Sequence, residues 1–327
     1  MQRLVRAYEG TVVAITGGTG YLASALDQAL RKDGARVLLV SRKDIPPSPG
    51  AESLKADVRT ADCWRTIVQR ADVVFHLAGN TSAYAAAKDP AGSLLSTVAP
   101  LTHLAAAARE AGRRPRVLYA STATVYGLTP TLPVGEDTVL RPVTTYDLHK
   151  AFAEKQLELA STQGLVEGVS LRLANVYGPS SSGSSADDRG VLNRITKLAL
   201  QGADLYLYGD GGYLRDYVYI DDVVRAFLVA GVQREIVGRS FNVASGVGCT
   251  VRDAFSLVAE RAEKVTGRKS CVYNAPWSED ANPIEFRNFT ARIDRMRSAC
   301  GWKPVVTLAD GVEHLIRHLG QTMNISR

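Results

Sequence analysis

Residues 12–23 read Val-Val-Ala-Ile-Thr-Gly-Gly-Thr-Gly-Tyr-Leu-Ala. A β-branched apolar run, a glycine cluster and a segment with helical spacing predict a strand, a tight turn and a helix. Gly17 permits the tight turn, and Gly20 lets backbone N–H groups approach a ligand closely. The helix that starts at Tyr21 and Leu22 points its positive end at the turn. This stretch therefore predicts a site for the pyrophosphate of a dinucleotide.

Short apolar runs and longer helical stretches keep alternating through the first half of the chain. The predicted strands are Val12–Thr16, Val37–Val40, Val73–Leu77, Arg116–Ala120 and Ser170–Ala174. The predicted helices are Leu22–Asp33, Ser93–Ala111 and Tyr146–Gln163. Because such alternation is typical of parallel βαβ units, we predict an α/β Rossmann domain with a doubly wound parallel sheet over residues 1–178.

The pattern changes after Gly178 and Pro179. Residues 180–185 are almost entirely Ser and Gly, which predicts a flexible loop. Short strands follow, together with predicted helices over Val191–Gln201, Asp221–Gly231 and Val251–Val265. We expect residues 179–327 to form a smaller α/β lobe that binds the substrate, with some segments returning to the Rossmann sheet.

The composition excludes several classes of protein. A chain of 327 residues is longer than one hydrophobic core usually serves, which favours two lobes. With 46% apolar and 22% charged residues, neither a disordered nor a fibrous protein is expected. We find no continuous apolar run of membrane-spanning length and no signal-peptide pattern near the N-terminus, so neither a membrane protein nor a secreted protein is predicted.

The cysteines and the charge distribution give further expectations. The four cysteines are widely spaced without a C-x-x-C pair, which predicts neither a zinc site nor a disulfide framework. We therefore expect reduced thiols, a cytoplasmic location and no bound metal. The net charge of +6 is spread without a basic block, so nucleic acid is not an expected partner.

The residues after the second predicted strand bear on the choice of cofactor. That strand ends at Val40, and Ser41 and Arg42 follow it. An acidic residue at this point, about 20 residues beyond the glycines, would accept a hydrogen bond from the ribose 2′-hydroxyl of NAD. A neutral Ser and a guanidinium suit a 2′-phosphate instead. We predict NADP, with NAD as the alternative.

A second group of residues has the chemistry of an acid–base site. Tyr146 and Lys150 lie four residues apart on a predicted helix, so both side chains project from one face. An ammonium beside a phenol favours the phenolate and makes it a usable base near neutral pH. Ser121, Thr122 and Thr124, at the end of the fourth predicted strand, offer hydroxyl groups to a reacting carbonyl or alcohol.

Taken together, the motifs resemble those of the extended short-chain dehydrogenase/reductases, within which the chain is similar to the nucleotide-sugar epimerase/dehydratase/reductase group. The resemblance covers nearly the whole chain. The motifs that carry it are TGGTGYLA (16–23), Asp57-Val58, FHLAG (75–79), STATVYG (121–127), YDLHK (146–150), LRLANVYGP (171–179), YGDGGYLRDYVYIDD (208–222), FNVASG (241–246) and GWKP (301–304).

The resemblance implies a role for each matching residue. It makes Tyr146 the general acid and base, Lys150 the residue that lowers the pKa of Tyr146 and holds the nicotinamide ribose, and Thr122 the donor to the reacting oxygen. It implies cofactor contacts from Asp57, Val58, Leu77, Ala78 and Gly79. It implies substrate contacts from Asn175, Arg215 and, less directly, Arg287, the first two with the diphosphate of a nucleotide sugar.

Departures from the family pattern narrow the reaction. Sugar-nucleotide dehydratases resemble one another in carrying an acidic residue just after the catalytic Thr or Ser, where this chain has Ala123 and Thr124. The chain therefore lacks the acid and the base that dehydration requires. Relatives usually have an Asn where this chain has Thr97, so a water-mediated proton relay through that position is not expected.

Two enzymatic reactions remain. Our first expectation is an NADPH-dependent 4-ketoreductase that acts on a nucleoside-diphosphate 4-keto-6-deoxyhexose in deoxysugar biosynthesis. The alternative is a nucleoside-diphosphate-hexose 4-epimerase with tightly bound NAD, and a non-catalytic dinucleotide sensor is a remote third. The resemblance also implies a homodimer formed through the predicted helices 93–111 and 146–163. The base and the sugar stay open.

Overall fold

The computed structural model describes residues 6–46, 50–179 and 190–324. The Ser/Gly-rich stretch 180–185, predicted to be a flexible loop, lies outside the described residues. The strands are β1 Val12–Thr16, β2 Arg36–Ser41, β3 Ala51–Lys55, β4 Val73–His76, β5 Arg116–Thr122, β6 Glu167–Leu173, β7 Asn175–Tyr177, β8 Leu205–Tyr208, β9 Leu214–Tyr219, β10 Ser240–Val243, β11 Gly248–Thr250 and β12 Val272–Ala275.

Helices alternate with these strands through the N-terminal half and dominate the C-terminal half. They are α1 Tyr21–Lys32, α2 Ala61–Arg70, α3 Ala83–Lys88, α4 Pro90–Thr97, α5 Ala99–Ala111, α6 Thr145–Thr162, α7 Val191–Leu200, α8 Ile220–Val232, α9 Val251–Thr266, α10 Asp294–Cys300 and α11 Leu308–Thr322.

Seven of the described strands form one parallel sheet in the order β10-β6-β5-β4-β1-β2-β3. Strand β1 pairs with β2 on one side and with β4 on the other, so the strand order reverses direction there. In open α/β sheets, ligands bind outside the carboxyl ends of the strands at such a reversal. The fold is the predicted doubly wound Rossmann sheet, and it locates the site at the end of β1.

The central strands are buried on both faces, as expected for a sheet covered by helices. Val13 and Ile15 of β1 belong to the hydrophobic cluster on one face. Ala14, between them, belongs to the cluster on the other face. Side chains of a strand point alternately to its two faces, and both faces of β1 are buried. The strand therefore has a continuous apolar sequence.

The helix predicted over Ser93–Ala111 is in fact two helices, α4 and α5, which meet at Val98. Pro100 has no backbone N–H to donate to the preceding turn, and its ring favours the first turn of a new helix. By length and composition, the run Pro90–Ala111 would suffice to cross a membrane. In this fold Leu101 and Leu104 of that run are buried in the core instead.

The C-terminal half contributes strands to three different sheets. Strands β7, β9 and β11 form one small sheet, and β8 pairs with β12 in another. Strand β10 pairs with β6 and so extends the central sheet from a segment far along the chain. The placement of a lobe boundary at residue 178 stays a prediction.

Candidate active site

One cavity of about 890 Å³ extends along the carboxyl ends of the central strands. It is large enough for a dinucleotide-sized ligand. Every residue that the sequence analysis assigned to the cofactor lines it, and so does the candidate catalytic hydroxyl: Gly17, Gly20, Tyr21, Leu22, Ser41, Arg42, Asp57, Val58, Leu77, Ala78, Gly79, Thr122, Tyr146 and Lys150.

The glycine loop between β1 and α1 fits the pyrophosphate of a dinucleotide. Gly17 has a φ of +73°, and a Cβ atom there would lie 3.1 Å from the backbone nitrogen of Ala78. Within the described chain, no side chain caps α1 at Gly20, and the first turn holds no acidic residue. The first N–H groups of α1 and the positive end of its dipole are therefore available to an anion.

The other end of the cavity is lined by polar and charged side chains. Ser41 is the last residue of β2, and its Oγ accepts a hydrogen bond of 3.0 Å from the backbone N–H of Lys43. Asp57 forms an ion pair with Arg59, with Nη2 and Oδ2 2.6 Å apart. The hydrogen bond from Arg59 lowers the pKa of Asp57. Arg42 is exposed beside this pair.

Tyr146 and Lys150 lie in the first turns of α6, and the side chain of Thr144 caps the start of this helix. Lys150 Nζ donates to the carbonyl oxygen of Ala120 at 2.9 Å and lies 5.9 Å from the centre of the Tyr146 ring. Burial lowers the pKa of Lys150 to about 8. The lysine is therefore still mostly an ammonium at neutral pH, as the predicted role beside Tyr146 needs.

The three candidate hydroxyls after β5 are not equivalent. Ser121 donates to the buried carboxylate of Glu154, which turns its hydroxyl toward the interior. Thr122 Oγ1 accepts from the backbone N–H of Thr124 at 3.2 Å, and the two hydroxyl oxygens are 3.0 Å apart. This geometry favours Thr122, on the cavity wall, as the hydroxyl that meets a reacting oxygen.

A buried polar network fixes this end of β5. Arg172 of β6 binds Glu154 of α6 through Nη2 at 2.7 Å and through Nε at 3.1 Å to both carboxylate oxygens. Its Nη1 donates to Tyr126, whose hydroxyl donates to Asn242 of β10 at 2.7 Å. With Ser121 of β5, the network ties α6, β5, β6 and β10 together next to the candidate catalytic groups, and such fully paired buried groups are rigid.

Thr122, one of the predicted substrate residues, lines the cofactor cavity, whereas Asn175, Arg215 and Arg287 do not line it but lie together beside it. Arg287 Nη2 is 3.4 Å from Asn175 Oδ1, a long hydrogen bond. Arg215 donates from Nη2 to the carbonyl oxygen of Glu285 at 2.7 Å and from Nη1 to the carbonyl oxygen of Arg287. Residues distant in sequence thus form one cluster.

Within the described part of the chain, no carboxylate forms a hydrogen bond or an ion pair with the guanidiniums of this cluster. The hydrogen-bond partners of Arg215 and Arg287 among the described residues are backbone carbonyl oxygens and the Asn175 amide. Burial, followed by the charge of Arg215, lowers the pKa of Arg287 to about 10. Because buried charges are costly unless paired, two adjacent guanidiniums suit an anion such as a diphosphate.

Sequence reasoning missed Asp147, which directly follows Tyr146. It is fully buried, and neither carboxylate oxygen has a hydrogen-bond partner among the described residues. Burial raises its pKa, while Thr124 and Thr144 lie near enough to oppose that rise without good hydrogen-bond geometry. An Asp in the first helical turn is common, so the sequence holds no signal for it. Asp147 does not line the cavity and does not replace the acid that Thr124 lacks.

A Rossmann sheet with a dinucleotide cleft and a Tyr/Lys pair at its wall defines an NAD(P)-dependent oxidoreductase fold and site. Residues 13–244 match the NAD dependent epimerase/dehydratase family. The chain belongs to this family, as the motifs predicted.

Relatives and solved structures agree with this assignment. A UDP-glucose 4-epimerase of Mycolicibacterium smegmatis is 31% identical over 91% of this chain and 95% of its own. The structure of a UDP-glucose 4-epimerase from Thermotoga maritima with UDP-glucose is 26% identical, with a TM-score of 0.84 over 95% of this chain and 99% of that one. A Thermus thermophilus UDP-glucose 4-epimerase complex with NAD is 27% identical, with a TM-score of 0.81 over 94% and 98%.

Proposed function

We propose that this protein is a nucleoside-diphosphate-hexose 4-epimerase that keeps NAD bound and interconverts UDP-glucose and UDP-galactose. The observation that carries the proposal is the pairing of two sites. Tyr146 and Lys150 line the dinucleotide cavity, and beside it, next to Asn175, lie two guanidiniums to which no carboxylate of the described residues is hydrogen-bonded. The similarity to UDP-glucose 4-epimerases over nearly the whole chain supports the reaction. It moves our preference from the ketoreductase to the epimerase.

Each residue of the proposed site has its own role in the reaction. Arg215 and Arg287 hold the diphosphate, and Thr122 donates to the oxygen on C4 of the hexose. Tyr146 removes the proton of the C4 hydroxyl and later returns a proton to that oxygen after the 4-keto sugar has turned its other face. Lys150 stabilises the phenolate form of Tyr146, which is present before the proton is taken and again after it is returned. The residues of the glycine loop would hold NAD, which would supply an acceptor and then a donor of the hydride at C4, so that no net oxidation would occur.

A 4-ketoreductase that uses NADPH is the second candidate, and one observation favours it. Strand β2 ends in Ser41 followed by the exposed Arg42, both on the cavity wall, so the end of this strand holds no carboxylate to accept from the 2′-hydroxyl of NAD. A reductase would consume NADPH and release NADP in each turnover, whereas an epimerase recycles its cofactor in place.

Mass spectrometry of the nucleotide released when the purified protein is denatured separates the two candidates. The epimerase proposal predicts about one NAD per chain, because a cofactor that is recycled in place need not leave. An empty site in protein that then turns over NADPH with a 4-keto sugar nucleotide would refute the epimerase and establish the reductase.

We also propose a homodimer formed through α4 and α6. These two helices contact each other, and their outer faces expose large apolar side chains. The group comprises Leu94, Leu95, Leu148, Phe152 and Leu159. Exposed apolar patches of this kind are common at protein–protein interfaces.

A further inference from the structure

The ammonium of Lys150 is buried, and its surroundings hold little negative charge. Its Nζ donates to the carbonyl oxygen of Ala120 at 2.9 Å. Glu154, one turn further along α6, raises the pKa of Lys150, but its carboxylate is already bound by Arg172 and Ser121. A buried ammonium needs further stabilisation, since desolvation disfavours the charged form.

The ring of Tyr119, on β5, lies directly beside this ammonium. Lys150 Nζ is 4.8 Å from the centre of the Tyr119 ring, closer than to the Tyr146 ring at 5.9 Å. Tyr119 is fully buried, and its hydroxyl has no hydrogen-bond partner among the described residues. Tyr119 can therefore interact with the Lys150 ammonium through its ring face rather than through its hydroxyl. An aromatic face attracts a cation within about 6 Å of its centre.

His76 of β4 also packs against the Tyr119 ring. The two rings are stacked, with centres 5.6 Å apart and planes 27° apart. Thr16 Oγ1 accepts N–H groups from Leu77 and Ala78, so its own hydrogen donates to His76 Nδ1 at 2.7 Å. The His76 ring therefore carries its proton on Nε2 and is neutral, and burial lowers its pKa to about 3. In the part of the chain that the structure describes, Lys150 is the cation that lies over the Tyr119 ring.

We propose that Tyr119 is a positioning residue whose ring face holds the Lys150 ammonium and stabilises its charge beside Tyr146. The inference rests on the proposed function only in giving Lys150 a part in turnover. The titratable groups that face Lys150 are Tyr146 and Glu154 on its own helix, Tyr119 on β5 and the neutral His76 on β4. Among these side chains, Tyr119 is the one that contacts the ammonium closely and has no other described polar contact.

The test compares the protein with Phe and with pentafluorophenylalanine at position 119. The two rings have nearly the same shape, but fluorination reverses the charge distribution of the face. The pKa of Lys150 is read without any substrate, by competitive labelling with acetic anhydride at a series of pH values, followed by peptide mass spectrometry. A Tyr119→Met variant gives a third, non-aromatic side chain, and thermal melting checks that each protein folds.

We expect the Tyr119→Phe protein to keep the labelling midpoint of the wild type. The fluorinated ring should lower the midpoint by about one pH unit, a tenfold change in the protonation equilibrium. The pH at which UDP-glucose turnover falls on the alkaline side should move by the same amount. Equal midpoints for the Phe and pentafluorophenylalanine proteins would overturn the proposal, even where Tyr119→Met does not fold. If UDP-glucose is not turned over at all, the proposed function fails while the labelling still decides the role of Tyr119.

Discussion

Single residues on the wall of the cofactor cavity differ in how firmly their neighbours hold them. Asp57 is fixed by Arg59, and Ser121 is fixed by Glu154. Arg42, which the sequence analysis placed at the 2′ position of the adenine ribose, is exposed. The contacts of Arg42 depend on which dinucleotide is bound, so a substitution at this residue tests the choice of cofactor.

Replacing Arg42 tests which dinucleotide the site prefers. A charge-assisted contact with a 2′-phosphate is worth about 1.5 to 3 kcal/mol, or tenfold to a hundredfold in affinity. If Arg42 binds that phosphate, Arg42→Ala should weaken NADPH by this factor and leave NADH almost unchanged. The measurement is a pair of dissociation constants at fixed ionic strength, because salt screens this contact. Equal affinities of the wild type for NADH and NADPH would show that Arg42 does not select the cofactor and would favour the epimerase.

Replacing Arg287 tests whether the buried guanidiniums hold a diphosphate. Arg287→Ala should raise the dissociation constant of UDP about tenfold to a hundredfold, because one charge-assisted contact is lost. The exposed Arg268, changed to Ala, serves as the control and should leave UDP binding unchanged. Titration calorimetry measures both. A normal UDP affinity in Arg287→Ala would show that the Arg287 side chain does not bind the diphosphate.

The sequence analysis singled out residues where a motif requires one residue type, and their roles stay predictions. Gly17, Tyr146 and Lys150 line one cavity as expected. It did not identify Tyr119 or Asp147. An aromatic residue in a buried strand and an acidic residue in a first helical turn are ordinary choices, and only their contacts in three dimensions distinguish them.

Among the elements, the turn from β1 to α1 does the most to shape the site. It brings Gly17, directly after β1, against Leu77 and Ala78, which follow β4. Close backbone packing of this kind leaves no room for a side chain.

Gly17→Ala therefore serves as a test of the loop. A Cβ at Gly17 would meet backbone atoms at 3.1 and 3.2 Å and would force a φ of +73° on an alanine. We expect NAD affinity to fall at least about tenfold as the loop shifts, a change of about 1.4 kcal/mol. Gly112→Ala is the matched control, because Gly112 also has a positive φ, +59°, but open space around it. The Gly112→Ala substitution should lower the free energy of unfolding by about 1 kcal/mol without changing NAD affinity. Unchanged NAD binding in Gly17→Ala would mean that the loop does not contact the cofactor.

Most predicted elements end within a few residues of their observed bounds, because apolar period and turn residues mark them. The strand predicted over Ser170–Ala174 begins earlier, at Glu167, since Gly168 interrupts the apolar pattern. Strand β3 has an Ala-Glu-Ser-Leu-Lys sequence with little apolar character and was not predicted. It lies at the edge of the sheet, where one side needs no partner and the sequence is less constrained.

At the scale of the whole molecule, the return of β10 to the central sheet joins the two halves of the chain. Sequence patterns are local and cannot show which strand pairs with a segment about 70 residues away. They likewise cannot show whether the apolar face of α4 and α6 is covered by a second copy.

The dimer is tested by charging that face. Leu95 and Phe152 are 50% and 48% exposed, so Leu95→Glu and Phe152→Glu disturb little of the monomer core. The double variant should sediment as a monomer with an unchanged circular dichroism spectrum, while the wild type sediments as a dimer. Val305→Glu, on an exposed apolar residue elsewhere, should leave the dimer intact. A monomeric wild type would contradict the proposal.

The central claim is that the Tyr146 site epimerises a nucleotide sugar with a cofactor that it keeps. The most direct measurement supplies the purified protein with UDP-galactose and no added cofactor, and follows UDP-glucose by chromatography. We expect conversion to an equilibrium mixture without net formation of NADH. Tyr146→Phe should lower the rate by about two to four orders of magnitude while NAD stays bound. Failure of the NAD-loaded wild type to form UDP-glucose, with reduction of a 4-keto sugar nucleotide at the expense of added NADPH, would contradict the claim.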